Sequence, residues 1–305
     1  MKIHHRPFKY ESPDFKSMCS LIVRDNAIKK ECFVWHIARV VDWKYNLFNI
    51  KRRLPGNYAT AAHLWVSSND DLAGFVISEE FDNQFDIIVL DKYNYLYPEM
   101  PAGISSEWGK QYSDLTTCAD ETNVALIGML EQTGYKRTKE IELTRVFNTS
   151  RFSACQYPVA SLSFQSMAQN KKYDDQTLLR LSAWPHKEDK ETDDAIRAYC
   201  RTSPIYDSRF DFVLVDDSGA HLSGCEAFID RVNKTAEIER VCTHSEHHNK
   251  GYAQMTLKSC LRALHESHIP TAYLSGGYEK TIHLYGKLGH EKEIARFYYK
   301  LEMTS

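Results

Sequence analysis

One order of elements is written twice along the 305 residues of this chain: two paired strands, a third strand, a helix, a strand, a helix stopped by glycine, and a closing strand. In the second half, Phe210–Val215 and Leu222–Ile229 alternate as strands around the turn residues Asp216–Gly219, which predicts a hairpin. Ala236–Thr243 is a third strand. Leu257, Leu261 and Leu264 recur at helical spacing within a helix from Tyr252 to His265. Beyond Pro270 come a short strand Thr271–Leu274, a helix Lys280–Leu288 ending at Gly289, and a strand Arg296–Leu301. The first half repeats this as a hairpin over Ala62–Ser67 and Leu72–Ser78, then a strand Phe85–Leu90. A helical stretch Ile104–Tyr112, a strand Leu115–Cys118, a helix Glu121–Thr133 before Gly134, and a strand Ile141–Val146 complete it. A length of about two ordinary domains agrees with the repeat. The reading is a mixed α/β (α+β) protein of two similar domains, 1–150 and 151–305, with largely antiparallel sheets flanked by helices. Asn148–Pro158 is the candidate linker.

Thirty-eight Lys and Arg against 41 Asp and Glu leave a net charge of −3, so no general attraction to nucleic acid or anionic membrane is expected. With 43% hydrophobic and 26% charged residues the chain has the composition of a folded globular protein. The opening MKIHHRPFKYESPDF has no apolar export core, and no run of about 18 apolar residues occurs. A cytoplasmic protein, monomeric or homodimeric, is expected. Its eight cysteines (Cys19, Cys32, Cys118, Cys155, Cys200, Cys225, Cys242, Cys260) are scattered without CxxC spacing and read as free thiols.

The informative segment is Ala236-Glu-Ile-Glu-Arg-Val-Cys-Thr-His-Ser-Glu-His-His-Asn-Lys-Gly-Tyr-Ala253. A strand runs into a polar loop, and Gly251 opens a helix. Helix openings leave N–H groups free at the positive end of the dipole, which suits a phosphate. Gly251 and Ala253 let backbone approach a ligand closely. Four side chains in the loop, His244, Glu246, His247 and His248, are metal-ligand types. Adjacent histidines on one loop rarely complete a tetrahedral site, so no metal is expected. His4 and His5 are expected to be solvated.

This segment resembles the acyl-CoA loop of the GNAT acetyltransferase superfamily, Q/R-x-x-G-x-G/A, read here as His248-Asn-Lys-Gly251-Tyr-Ala253. About 35 residues on, Ile282-His-Leu-Tyr-Gly-Lys-Leu-Gly-His290 resembles the family's A-I-x-L-Y-x-x-x-G-F signature. His248 stands in place of Gln or Arg, Ser245 in place of Pro, Tyr278 in place of Asn, and His290 in place of the final aromatic. None of these changes removes a backbone N–H. The resemblance covers residues 156–305, and the first half looks like a diverged copy, so a tandem GNAT fold is implied.

The resemblance implies an N-acetyltransferase that moves an acetyl group from acetyl-CoA directly to an amine of a small molecule or peptide. The other reading is a GNAT-like protein that binds acyl-CoA, or serves structurally, without catalysis. Backbone groups of Val241, Cys242 and Thr243 would pair with the pantetheine arm. Those of His248, Asn249, Lys250, Gly251, Tyr252 and Ala253 would hold the pyrophosphate, with Tyr278 at the opening of the second motif. Tyr285 aligns with the family's proton donor to the leaving thiolate, Glu237 with the general base of the histone-acetyltransferase branch, and Glu239 is the reserve base on the same strand face. Cys242 lies near enough to raise a covalent acyl carrier. In the first half Leu130 stands where Tyr285 stands, and Asp91–Pro98 contains no glycine. Loss of acyl-CoA binding is expected there, with Tyr93, Tyr95, Tyr97 and Trp108 serving as packing aromatics.

Overall fold

The computed structural model of the chain describes residues 2–29, 35–45, 55–154, 161–184 and 190–303. Cys32, Cys155 and residues 155–158 of the candidate linker lie outside the described residues. Two compact units form: Met1–Leu143 together with Ile294–Ser305, and Thr144–Glu293.

In the first unit the chain runs β1 (Ile3–Pro7), α1 (Asp14–Ile28), α2 (Ile37–Tyr45), α3 (Tyr58–Ala61), β2 (Ala62–Ser67), β3 (Leu72–Ile77), β4 (Gln84–Val89), α4 (Glu99–Trp108), β5 (Asp114–Asp120), α5 (Val124–Gln132) and β6 (Lys136–Asn148). The long strand β6 crosses the boundary at Leu143. The second unit continues with β7 (Leu162–Ser166), α6 (Met167–Asn170), α7 (Tyr173–Ala183), α8 (Lys190–Cys200), β8 (Asp211–Asp216), β9 (His221–Asp230), β10 (Thr235–Thr243), α9 (Tyr252–Glu266), β11 (Thr271–Gly276) and α10 (Glu279–Gly286). The final strand is β12 (Lys292–Glu302).

The second unit stacks β7, β8, β9 and β10 antiparallel, and β11 joins β10 in parallel. Side chains on one face, among them Phe212, Ala227, Ile238 and Leu274, pack with Leu257, Leu261 and Leu264 of α9 into a buried core. On the other face Val213, Val215 and Cys242 meet Leu179 of α7. Covering both faces explains why every residue of β9 is buried. The first unit follows the same plan, with β1, β2, β3 and β4 antiparallel and β4 parallel to β5. Among the described residues no helix is long and apolar enough to cross a membrane.

Two expectations change. The closing strand, placed in a domain 151–305 by its position in the sequence, belongs from Ile294 onward to the first unit. There it lies antiparallel to β5, from Arg296 opposite Asp120 to Glu302 opposite Asp114. The reason is chemical: Arg296 is buried, pairs with Asp86, donates to Glu142 Oε1 at 2.8 Å and lies 2.7 Å from Cys118 Sγ. Arg39 holds the same Glu142 through two hydrogen bonds of 3.2 and 3.0 Å. The second change concerns His5, which is not simply solvated. Its ring stacks on Trp65 at 5.2 Å and its Nε2 lies 3.3 Å from Glu107 Oε1. Of the first-half aromatics, Tyr93, Tyr97 and Trp108 pack inside and Tyr95 is 63% exposed.

Burial alone would raise the Glu142 carboxyl, but Arg39 and Arg296 overcome it and hold it down to about 2. Removing one partner of a buried charge cluster costs about 3–5 kcal/mol, so Arg296→Met should destabilise the first unit by that order in denaturant unfolding. Because the folded pKa of Glu142 is depressed, its share is present above the unfolded value of about 4.3 and lost as pH falls toward 2. The difference between wild type and variant should therefore shrink over that acid range.

Candidate active site

The central feature of the second unit is a fork between two strands. β10 and β11 pair only at Thr235–Thr271, Ala236–Ala272 and Glu237–Tyr273, although β10 continues to Thr243 and β11 to Gly276. The cause lies in β10. Its register against β9 shifts between Glu239 and Cys242, and Arg240 within the shift takes a φ of 54°. A left-handed backbone costs a residue with a Cβ about 1–2 kcal/mol, and here a buried ion pair of Arg240 with Glu226 offsets it. The guanidinium also sits 5.0 Å from the centre of the Phe228 ring. Glu226 in turn lies 3.5 Å from Arg180, which is 3.2 Å from Asp211. A bulge bends its strand, and the β10–β11 ladder ends at Glu237.

β10 leads into the loop. Ser245–His247 forms one 3-10 turn, tied to α7 where the Ser245 N–H donates to Ser182 Oγ at 2.9 Å. Asn249 and Gly251 take φ values of 62° and 81°, and α9 starts at Tyr252. His248 Nε2 is 3.1 Å from the Thr243 carbonyl, and Lys250 Nζ is 3.0 Å from His247 Nδ1. The backbone N–H groups from His248 to Gln254 donate to no protein group among the described residues. The first bond of the helix runs from Met255 N–H to the Gly251 carbonyl at 3.1 Å. A Cβ placed on Gly251 would meet nothing within 4 Å. What demands glycine is the left-handed φ, and the space beyond lies open to an anion at the positive end of a 15-residue helix.

Tyr285 is a buried residue of α10, its ring packed with the α9-side core. Gly276 makes room for it, since a Cβ there would stand 3.2 Å from the ring and 2.6 Å from Thr281 Oγ1. Burial pushes the Tyr285 hydroxyl pKa up, with Glu239 and Cys225 adding to the shift, so the proton stays on at neutral pH. Glu239 is half-buried past the fork point, while Glu237 is fully buried at the last paired position. The two carboxylates thus divide: Glu239 acts on Tyr285, and Glu237 acts on Tyr273, whose pKa is raised to about 12 chiefly by burial. Val241 packs on the α9-side core, and Thr243 Oγ1 lies 3.4 Å from Ser223 Oγ. Tyr252 and Ala253 are half-buried, Asn249 and Lys250 exposed. Tyr278 is 83% exposed at the start of α10.

Cys242, near enough to the motif to be tested as an acyl carrier beside the expected direct transfer, turns its side chain elsewhere. Its side chain packs with Met167, Leu179, Val213 and Val215 on the α7 side, and burial raises the thiol to about 11. Its backbone is engaged as well: the carbonyl accepts from Ser223 Oγ at 2.6 Å and the residue pairs with Gly224 of β9. In the loop the His244 and His247 rings lie 5.5 Å apart. Sequence reasoning passed over Arg240, Glu226 and Ser182, which shape the fork and loop; the one signal was an Arg set beside Glu239 within the strand Thr235–Thr243.

Residues 173–290 match the Acetyltransferase (GNAT) family. The second unit is a GNAT domain. Over its full length the chain superposes on a tandem GNAT protein from the clavulanic acid biosynthesis pathway with a TM-score of 0.66, 12% identity, and coverage of 100% of this chain and 99% of that one. A GNAT-family acetyltransferase from Colwellia psychrerythraea gives 0.60 at 9% identity, covering 98% and 100%. A GCN5-related N-acetyltransferase from Sphaerobacter thermophilus gives 0.58 at 14%, covering 99% and 96%. No curated protein matches the chain. The chain therefore has the tandem GNAT fold, that of a family of acyl-CoA-dependent N-acyltransferases.

A thiol held near pKa 11 carries roughly 10²-fold less thiolate at pH 7.5 than one of ordinary pKa, and burial slows reagent access further. Cys242 should accordingly be alkylated by iodoacetamide more than 100-fold slower than free cysteine, as read by mass spectrometry of the native protein. Labelling at the rate of a free thiol would show that the side chain faces the fork instead.

Proposed function

We propose that the second unit transfers the acetyl group of acetyl-CoA directly to the amine of a small molecule or peptide. The observation that carries this reading is the meeting, in one unit, of an open strand fork, a row of uncommitted N–H groups on a glycine loop, and a protonated buried tyrosine. The backbone from His248 to Ala253 grips the pyrophosphate, and the edge of β10 at Val241 and the Thr243 N–H takes the pantetheine arm, the Thr243 carbonyl being met by His248. Acetyl-CoA supplies an activated thioester. As the amine nitrogen bonds to the carbonyl carbon and the carbon–sulfur bond breaks, Tyr285 delivers its proton to the departing sulfur. Glu239, beyond the fork point and electrostatically linked to Tyr285, is the better placed carboxylate to take the amine proton; Glu237 sits at the closed end of the fork.

The first unit is read as having given up this chemistry. Its own fork opens after Phe85–Thr117, and the next residues, Asp86 and Cys118, are engaged by Arg296. The segment after β4 is a stretch of 3-10 helix, Asp91–Leu96, with no glycine. One acetyl-CoA per chain is the consequence. The six described cysteines are free thiols, which fits a reducing compartment such as the cytoplasm.

Incubation with acetyl-CoA and a panel of amines (amino acids, polyamines, aminoglycosides, peptide N-termini), followed by detection of free thiol, identifies the acceptor. With that acceptor, Tyr285→Phe should lower kcat by about 10²–10⁴-fold, the usual worth of general acid catalysis, and leave the acetyl-CoA Kd nearly unchanged. Gly251→Glu should abolish acetyl-CoA binding through its strained φ and like charge. Near-full kcat in Tyr285→Phe, where chemistry limits the rate, would remove Tyr285 from the role assigned to it.

A further inference from the structure

We infer that the first unit holds a binding site for a zinc-class divalent cation, built from His5, His63 and Glu107. In the antiparallel pair β1–β2, His5 stands opposite Trp65 and Pro7 opposite His63. Residues two apart on a strand share a face, so both imidazoles rise from the same face of the sheet. Helix α4 brings Glu107 to that face. Its two carboxylate oxygens divide between the rings: Oε1 is 3.3 Å from His5 Nε2 and Oε2 is 3.3 Å from His63 Nε2. One ligand atom from each of the three residues lies within 4.8 Å of the others.

The spacing suits two ligands of one ion. Charge-assisted N–H···O bonds close to about 2.7–2.9 Å. Two ligands bound at about 2.0–2.1 Å to one tetrahedral ion stand about 3.3 Å apart. Besides their long contacts to Glu107, aromatic neighbours hold the rings in place. His5 stacks on Trp65, whose indole N–H donates to Glu99 at 3.0 Å, and His63 meets the Trp108 ring at 6.4 Å. His63 Nδ1 is buried without a protein partner, and Nε2 is the nitrogen that faces Glu107. A cavity of about 520 Å³ opens beside the cluster, lined by Pro7, Thr60, His63, Glu107, Lys110 and Gln111, so the ion's remaining positions would be filled from that side. Two imidazoles and a carboxylate suit zinc and its neighbours over magnesium or calcium, which prefer all-oxygen sites.

The three ligands come from β1, β2 and α4, far apart in sequence, so the site exists only when the unit is folded. An ion there fastens the N-terminal strand to the sheet, and binding adds to stability.

The test uses the full chain, stripped with a chelator and titrated with Zn²⁺ alone by calorimetry, with Co²⁺ absorption as the coordination readout. The proposal expects one equivalent bound per chain, a rise in Tm on adding Zn²⁺, and the visible bands of four-coordinate Co²⁺. His5→Gln and Glu107→Gln change partly exposed side chains, so both should keep native circular dichroism. Each should weaken Zn²⁺ binding by at least the 10–100-fold that loss of an outer-shell partner causes, and each should erase the Tm shift. A His244→Asn/His247→Asn variant should bind as wild type does. Absence of binding, unchanged binding in both first-unit variants, or loss of binding in the loop variant would each overturn the assignment.

Discussion

The working surface of the second unit depends on one strained residue in β10. Arg240 is held at a positive φ inside a strand, and the buried pair it makes with Glu226 keeps it there. Were β10 regular, its pairing with β11 would continue past Glu237, and the backbone groups of Val241 and Thr243 would be taken up in the sheet. The bulge ends the ladder, bends the strand and delivers the chain to the loop, where Gly251 turns it into α9. The same pair is anchored further: Glu226 meets Arg180, and Arg180 meets Asp211. Burial raises the Asp211 carboxyl to about 6 despite Arg180. A network of buried charge, costly in itself, thus fixes the geometry of an open site.

The two units use one architecture in opposite ways. Each has a parallel strand pair that separates after two or three residues. In the second, the residues beyond the separation are a half-buried carboxylate and strand backbone, followed by a loop of free N–H groups. In the first, the residues beyond it are Asp86 and Cys118, bonded to an arginine that the chain contributes from its last strand. The guanidinium brings charge balance and hydrogen bonds to the point where the two strands separate.

Much of the fold was legible because it is periodic. The hairpins, the α9 stripe of Leu257, Leu261 and Leu264, and the glycine stops at Gly134 and Gly289 all mark their elements directly, and the loop at Gly251 was found from its glycine and its neighbours. Other features have no local signature. The apolar alternation of Phe297–Leu301 is the same whichever sheet receives the strand, so its place in the first unit depends on partners at Asp86, Cys118 and Glu142. Glu237 and Glu239 share one strand face, and the resemblance ranked Glu237 first with Glu239 in reserve; the end of the β10–β11 pairing, which separates them, has no local signature. Cys242 faces away from the fork because the bulge resets the alternation of its strand. His5, His63 and Glu107 are joined by register and helix placement alone.

The central claim is that the uncommitted amides from His248 to Gln254 are the anion grip of the protein. Hydrogen–deuterium exchange of the full chain, with and without acetyl-CoA, tests it most directly. Slowed exchange across this segment on adding acetyl-CoA, with Asp91–Leu96 unchanged, is the predicted result. Unchanged exchange at His248–Gln254, or protection that appears at Asp91–Leu96 in its place, would contradict it.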